Sequence, residues 1–210
     1  VKAELPTVAD LAGKAEPVLR LPTNCPACRE AFIQEDPEEV AYRCMNPACP
    51  KQLERRLLHF ASREAMDIDG LGESAVGALL EKGLLKTVAD IYCLRKEDLL
   101  GLPLFAEKKA LNLLKAIEGS RARPLSRLVF GLGIMNVGIK ASLLLARRFR
   151  SMEALGKATK EEIMSVHEMG DITSDAVIRF FAQPETVEML KRLKSVGVNM
   201  VEPKGSFEGG

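Results

Sequence analysis

Ile68-Asp69-Gly70-Leu71-Gly72 is a short apolar-glycine turn set between two stretches of helical period, and it is one of four such turns. Leu102-Pro103-Leu104-Phe105-Ala106, Met135-Asn136-Val137-Gly138 and His167-Glu168-Met169-Gly170 stand in the same relation to their flanks. The turns end at residues 72, 106, 138 and 170, in steps of 34, 32 and 32. Four positions beyond each end comes a small or short side chain: Val76, Ala110, Ser142 and Ser174. A period of this length marks a helical array. The element that repeats is the turn.

Helical period follows each turn, over Glu73 to Lys82, Glu107 to Glu118, Ile139 to Phe149 and Thr173 to Phe181. Gln52 to Arg63, Lys160 to Ser165 and Pro184 to Val196 add further helices, and Thr159 is an N-cap before Glu161 and Glu162. Sustained strand alternation is absent after residue 50, so the sequence predicts a mainly α chain whose all-α body carries four helix-hairpin-helix motifs.

The 210 residues are 47% hydrophobic and 28% charged, enough to bury a core and unlike a disordered chain. No apolar run approaches the roughly 20 residues of a membrane span, and the N-terminus lacks an apolar signal core. The expectation is a reducing, cytoplasmic setting without a membrane partner. The net charge of +1 hides an asymmetry. Between Pro103 and Arg150, ten basic residues (Lys108, Lys109, Lys115, Arg121, Arg123, Arg127, Lys140, Arg147, Arg148, Arg150) face only Glu107 and Glu118. Such a stretch is either a solvated helical face or the electrostatic footprint of a polyanion. Its coincidence with the turns favours the second.

Ahead of the helices, Cys25-x2-Cys28 and Cys44-x4-Cys49 are separated by fifteen residues. Two short cysteine pairs on turns, with Pro26 shaping one knuckle and Asn46-Pro47 the other, can present four thiolates to Zn²⁺ around a hairpin-sized insert. An iron-sulfur cluster is the alternative cargo of such a set. Four thiolates leave no open coordination position, so the metal is expected to be structural and to supply the folding energy of a module too small for its own core. Cys93 stands apart and reads as a buried core thiol.

A glycine at the end of a turn lets a ligand approach the backbone closely. Where that turn opens a helix, unpaired N–H groups and the positive end of the dipole offer a phosphate site. The candidate DNA-contacting residues are Gly70, Leu71 and Gly72; Phe105, Ala106, Lys108 and Lys109; Asn136, Val137, Gly138 and Lys140; and Met169 and Gly170. Backbone amides carry no sequence code, and a chain with no Trp is poorly equipped to stack bases. The reading is therefore sequence-independent binding of duplex DNA. The competing reading is an ordinary helix connector with glycine at the helix C′ position. Ala106 tolerates close approach less well than glycine, and Glu168 and Asp171 flank the fourth turn with negative charge. The first and third turns are the best phosphate sites by turn chemistry. His59 reads as a surface or packing residue, His167 as a residue that precedes its turn and caps it, and no catalytic group is expected.

A four-cysteine zinc module followed by four hairpins resembles the C-terminal half of bacterial NAD⁺-dependent DNA ligases. The resemblance is carried by Leu21 to Cys28, by Ala65-Met66-Asp67-Ile68-Asp69-Gly70-Leu71-Gly72-Glu73, and by Pro124 to Ile134 with Asn136-Val137-Gly138 and Ala146-Arg147-Arg148-Phe149. It implies a region that grips nicked duplex DNA from the minor groove, a zinc finger joining an oligonucleotide-binding domain to the hairpins, and a monomer at the nucleoid of a bacterial cell, serving replication and repair. It further implies NAD⁺ and Mg²⁺ for the full-length enzyme only: no Lys-x-Asp-Gly adenylation motif and no BRCT domain is found here, so no cofactor-binding residue is assigned and the chain alone is expected to be inactive. The expected organisation is a tail of the preceding domain and linker over 1–22, zinc finger over 23–58, hairpin domain over 59–203 and linker over 204–210. A free-standing structure-specific DNA-binding module of a repair nuclease or branch-recognition protein is the alternative, and a purely structural interaction domain a third.

Overall fold

A computed structural model describes residues 23–33, 43–44, 46, 49–103 and 105–203. The readings made for 1–22, Pro47 and 204–210 fall outside the described residues. The chain divides into two compact units, Val1–Cys49 and Pro50–Gly210.

In the first unit, strand β1 (Phe32–Ile33) pairs antiparallel with β2 (Arg43–Cys44), Phe32 opposite Cys44. A bridge between Asn24 and Ala31 closes the preceding knuckle, where the Arg29 N–H donates to the Cys25 carbonyl at 2.7 Å and Arg29 takes a φ of 64°. The hairpin expected between the cysteine pairs is thus present as two paired strands.

The second unit is helical: α1 (Pro50–Ala61), α2 (Glu73–Glu81), a 3-10 helix (Val88–Cys93), α3 (Lys96–Leu100), α4 (Glu107–Ser120), α5 (Leu125–Gly131), α6 (Ile139–Phe149), α7 (Met152–Gly156), α8 (Lys160–Met164), α9 (Asp171–Ala182) and α10 (Pro184–Ser195). The four turns join α1 to α2, α3 to α4, α5 to α6 and α8 to α9. One apolar core runs through them, with Leu57, Phe60, Leu79, Leu113, Leu128 and Leu145 wholly enclosed. Because Leu57 and Phe60 belong to that core, α1 packs with the hairpins, and the compact division falls at Cys49/Pro50.

Gly131 shows how tightly the helices meet. A Cβ there would lie 3.2 Å from Ala65 Cβ and 3.4 Å from Phe60 Cδ2, so the side-chain-free position lets α5 close on the first hairpin. Thr159 caps α8 as expected, accepting from the Glu162 amide while Glu162 accepts from the Thr159 N–H at 2.9 Å. Cys93 is a correction: it is exposed, because Ile91, Tyr92 and Leu94 take the inward positions of the tighter 3-10 turn.

Candidate nucleic-acid interface and metal centre

The four turns share one backbone design. In each, the N–H of the fourth residue donates to the carbonyl of the first: Leu71 to Ile68 (3.3 Å), Phe105 to Leu102 (3.4 Å), Val137 to Ile134 (3.0 Å) and Met169 to Val166 (3.1 Å). The third residue takes a positive φ wherever it is described, at Gly70 (89°), Asn136 (61°) and Glu168 (68°). A positive φ at the third position with a negative φ at the second is a type II turn, which favours Gly or Asn there and Pro before it, as at Pro103. The first and fourth residues are buried apolar plugs, and the described residues between them face out.

That pattern sorts the candidate residues. Leu71, Phe105, Val137 and Met169 are buried, and their N–H groups close the turns, so they shape the hairpins and present neither side chain nor amide outward. Gly72, Ala106, Gly138 and Gly170 each act as N-cap of the following helix with extended backbone and without a side-chain cap, which differs from the C′ role of an ordinary helix connector. The residues carrying the opening amides, from Gly72 to Ser74 and at the three equivalent sites, are exposed. Val76, Ala110, Ser142 and Ser174 are fully buried one turn further on, and both serine hydroxyls donate back to the N-cap carbonyls of Gly138 and Gly170 at 2.9 Å.

The three N-cap glycines are not required by the fold. Their φ values of −88°, −82° and −90° suit any residue, and a Cβ at any of them would meet no atom within 4 Å. Ala106 shows that the fold accepts a Cβ at this position. Three open glycines at equivalent helix openings fit a ligand approaching from outside.

The basic stretch is less uniform than its sequence suggests. Arg121 donates to Glu118 and the Tyr92 carbonyl, Arg123 donates to Asp67 at 2.5 Å, and Arg127 donates to the Ala65 and Arg63 carbonyls. These three brace the helices internally, and Arg127 is held below its ordinary value by burial and then by the neighbouring Arg123. Lys108, Lys109 and Lys140 are exposed beside their hairpins. Lys109 Nζ sits 4.3 Å from the Phe105 ring centroid, whereas Lys140 Nζ lies 2.5 Å from Glu168 of the fourth hairpin. The acidic groups at the fourth hairpin are neutralised further by Lys160, 3.0 Å from Asp171 and 2.8 Å from Asp175. Exposed Met135, Ile139 and Ile172 at the third and fourth hairpins were missed by a search for charge. His59 is a packing residue, its Nε2 2.8 Å from the Phe130 carbonyl, and His167 is exposed without capping α9.

In the first unit the Sγ atoms of Cys25, Cys28, Cys44 and Cys49 all lie within 4.8 Å of one another. Cys25 and Cys49 are 3.8 Å apart and Cys28 and Cys44 3.4 Å, close to the edge of about 3.8 Å expected for a tetrahedron with Zn–S bonds of about 2.3 Å. The amides of Cys28 and then Ala27 draw the Cys25 thiol down to about 7. Although the Asn46 amide favours its thiolate, Cys44 is pushed up to about 12 by burial and by its three cysteine neighbours. Four adjoining thiols resist shared ionisation unless a cation replaces their protons. The cluster can hold a metal ion, and its donors fit a thiophilic one.

Two family models match. Residues 62–118, with the first and second hairpins, match a SAM-like helix-hairpin-helix tandem, and residues 127–190, with the third and fourth, match a helix-hairpin-helix motif. Proteins named DNA ligase are similar over most of the chain. That of Anoxybacillus flavithermus is 49% identical over 188 residues, that of Bacillus cereus (strain ATCC 10987 / NRS 248) 48% over 180, and that of Endomicrobium trichonymphae 44% over 188. These alignments take in 86–90% of this chain, which spans only 27–28% of the length of these relatives. Over nearly all of its length the chain is similar to one segment of these DNA ligases.

Proposed function

We propose that this chain is the zinc-finger and hairpin region of an NAD⁺-dependent DNA ligase, and that it grips nicked duplex DNA without reading its sequence. The observation that carries the reading is the set of glycine N-caps at 72, 138 and 170, which the fold does not need and which leave helix openings bare. A phosphate can approach such an opening to hydrogen-bond distance, and the dipole favours its charge. The first and third hairpins are the primary sites. The second relies on Lys108 and Lys109, and the fourth is the weakest for an anion. The four cysteines hold structural zinc. Adenylation by NAD⁺ and Mg²⁺-dependent sealing reside in other parts of the parent enzyme, and this chain alone transfers no AMP. In this reading it works as a monomer in the bacterial cytoplasm, on nucleoid DNA.

The test is a titration of the zinc-loaded chain against nicked, intact, flapped and branched duplexes of one sequence over a range of salt. Preferred, salt-sensitive binding to the nick supports the reading, with log affinity falling by about 0.9 per phosphate contacted per log of salt. A preference for flaps or junctions points instead to a free-standing branch-recognition module. Absence of duplex binding refutes both.

A further inference from the structure

We infer that Glu168 is an affinity-setting residue: its carboxylate occupies Lys140 in the free protein and competes there with a DNA phosphate. This rests on the DNA-binding reading above. Lys140 is the second residue of α6, next to the open N-cap Gly138, where a lysine would reinforce a backbone phosphate site. Its ammonium is instead 2.5 Å from Glu168 Oε1, with the two side chains 73% and 42% exposed, so the pair faces solvent and can be opened. Glu168 fills the turn position held by Gly70 in the first hairpin and Asn136 in the third, and it does so at a φ of 68°, a conformation uncommon for glutamate. His167 Nδ1 is 3.8 Å from the same carboxylate oxygen and is the other basic group at it.

The second hairpin offers the contrast. Lys109 rests on the Phe105 ring, and among the described residues no carboxylate holds it. A lysine on a ring faces no ionic rival, but Lys140 must leave Glu168 before it meets DNA. Glu168 then takes up a counterion as the phosphate releases one, so Lys140 adds little to the salt dependence of the wild-type chain. The arrangement limits the grip of the third hairpin and makes a DNA phosphate at Lys140 compete with an internal anion.

Glu168→Gln, and Glu168→Asn with the residue the third hairpin uses, should each tighten duplex binding about two- to five-fold at low salt, the range of an exposed ion pair. They should also steepen the salt slope by about 0.9. Adding Lys140→Ala to either variant should return the slope to the wild-type value. Tightening that persists in the double variant, or single variants that bind with wild-type affinity and slope, would overturn the proposal while leaving DNA binding intact. A wild-type chain with no salt-dependent duplex binding would overturn the underlying reading and the proposal with it.

Discussion

Glu202 reaches back 76 residues to Ser126, accepting its backbone N–H at 2.8 Å and its hydroxyl at 3.3 Å. Glu202 is 6% exposed, and Ser126 lies in the first turn of α5, whose N-cap is Pro124 and carries no side-chain cap. A carboxylate from the far end of the unit therefore supplies the missing acceptor and favours the helix dipole. Glu202→Ala leaves two buried donors of Ser126 without it and should cost about 1–3 kcal/mol in chemical denaturation. Glu202→Gln keeps an acceptor and should lose less. Equal stability of the wild type and the alanine variant would show that the contact contributes nothing.

Asp90 and Arg192 make a second long-range tie, with Nη2 2.5 Å from Oδ1, joining the 3-10 helix to α10. Burial works against ionisation of Asp90, but Arg192 and the Lys86 and Thr87 amides outweigh it and hold the carboxyl below its ordinary value of 3.8. A depressed native value means that the stability from this group is complete above the unfolded value and is lost as pH falls through the native one. The thermal midpoint should therefore drop on acidification below the ordinary aspartate value. Asp90→Asn should lower it at neutral pH and flatten that acid dependence. An acid profile of the variant parallel to that of the wild type would assign the loss to other carboxylates.

The turns were legible because their chemistry is local: Gly70 and Asn136 satisfy a positive φ, and Ser142 and Ser174 keep the one-turn spacing beneath the N-caps. The helices after them were legible for the same reason. Three other short helices were not. Lys96–Leu100, Leu125–Gly131 and Met152–Gly156 run five to seven residues, too few for a helical period to show, and tertiary packing holds them. Side-chain destinations were less legible still. Arg121, Arg123 and Arg127 look in sequence like Lys108 and Lys109, yet they turn inward to Tyr92, Asp67 and Ala65, partners distant in the chain. The cysteine spacing identified the four-thiol cluster because knuckle geometry is also local.

Metal removal should act on one unit. Cys25→Ser or a chelator should release about one zinc ion per chain from the cysteine cluster and unfold that module. The helical unit has its own core around Leu57 and Phe60, so most of the helical circular dichroism should remain. Loss of all helical signal on chelation would show that the helical unit cannot stand without the metal.

The glycines of one hairpin design should separate folding from binding. Gly70 has a φ of 89°, which L-residues rarely adopt, so Gly70→Ala should destabilise the helical unit by about 1 kcal/mol or more. Gly138 has a φ of −82° and open space around a built Cβ. Gly138→Asp should then leave stability within about 0.5 kcal/mol of the wild type, as expected for an exposed substitution. It should nevertheless weaken duplex binding by about tenfold or more, because a carboxylate would stand at the proposed phosphate site. Gly138→Ala, which adds bulk without charge, should fall between. Melting curves and salt titrations on the same samples distinguish the two glycines, and unchanged duplex affinity in Gly138→Asp would remove the third hairpin from the DNA interface.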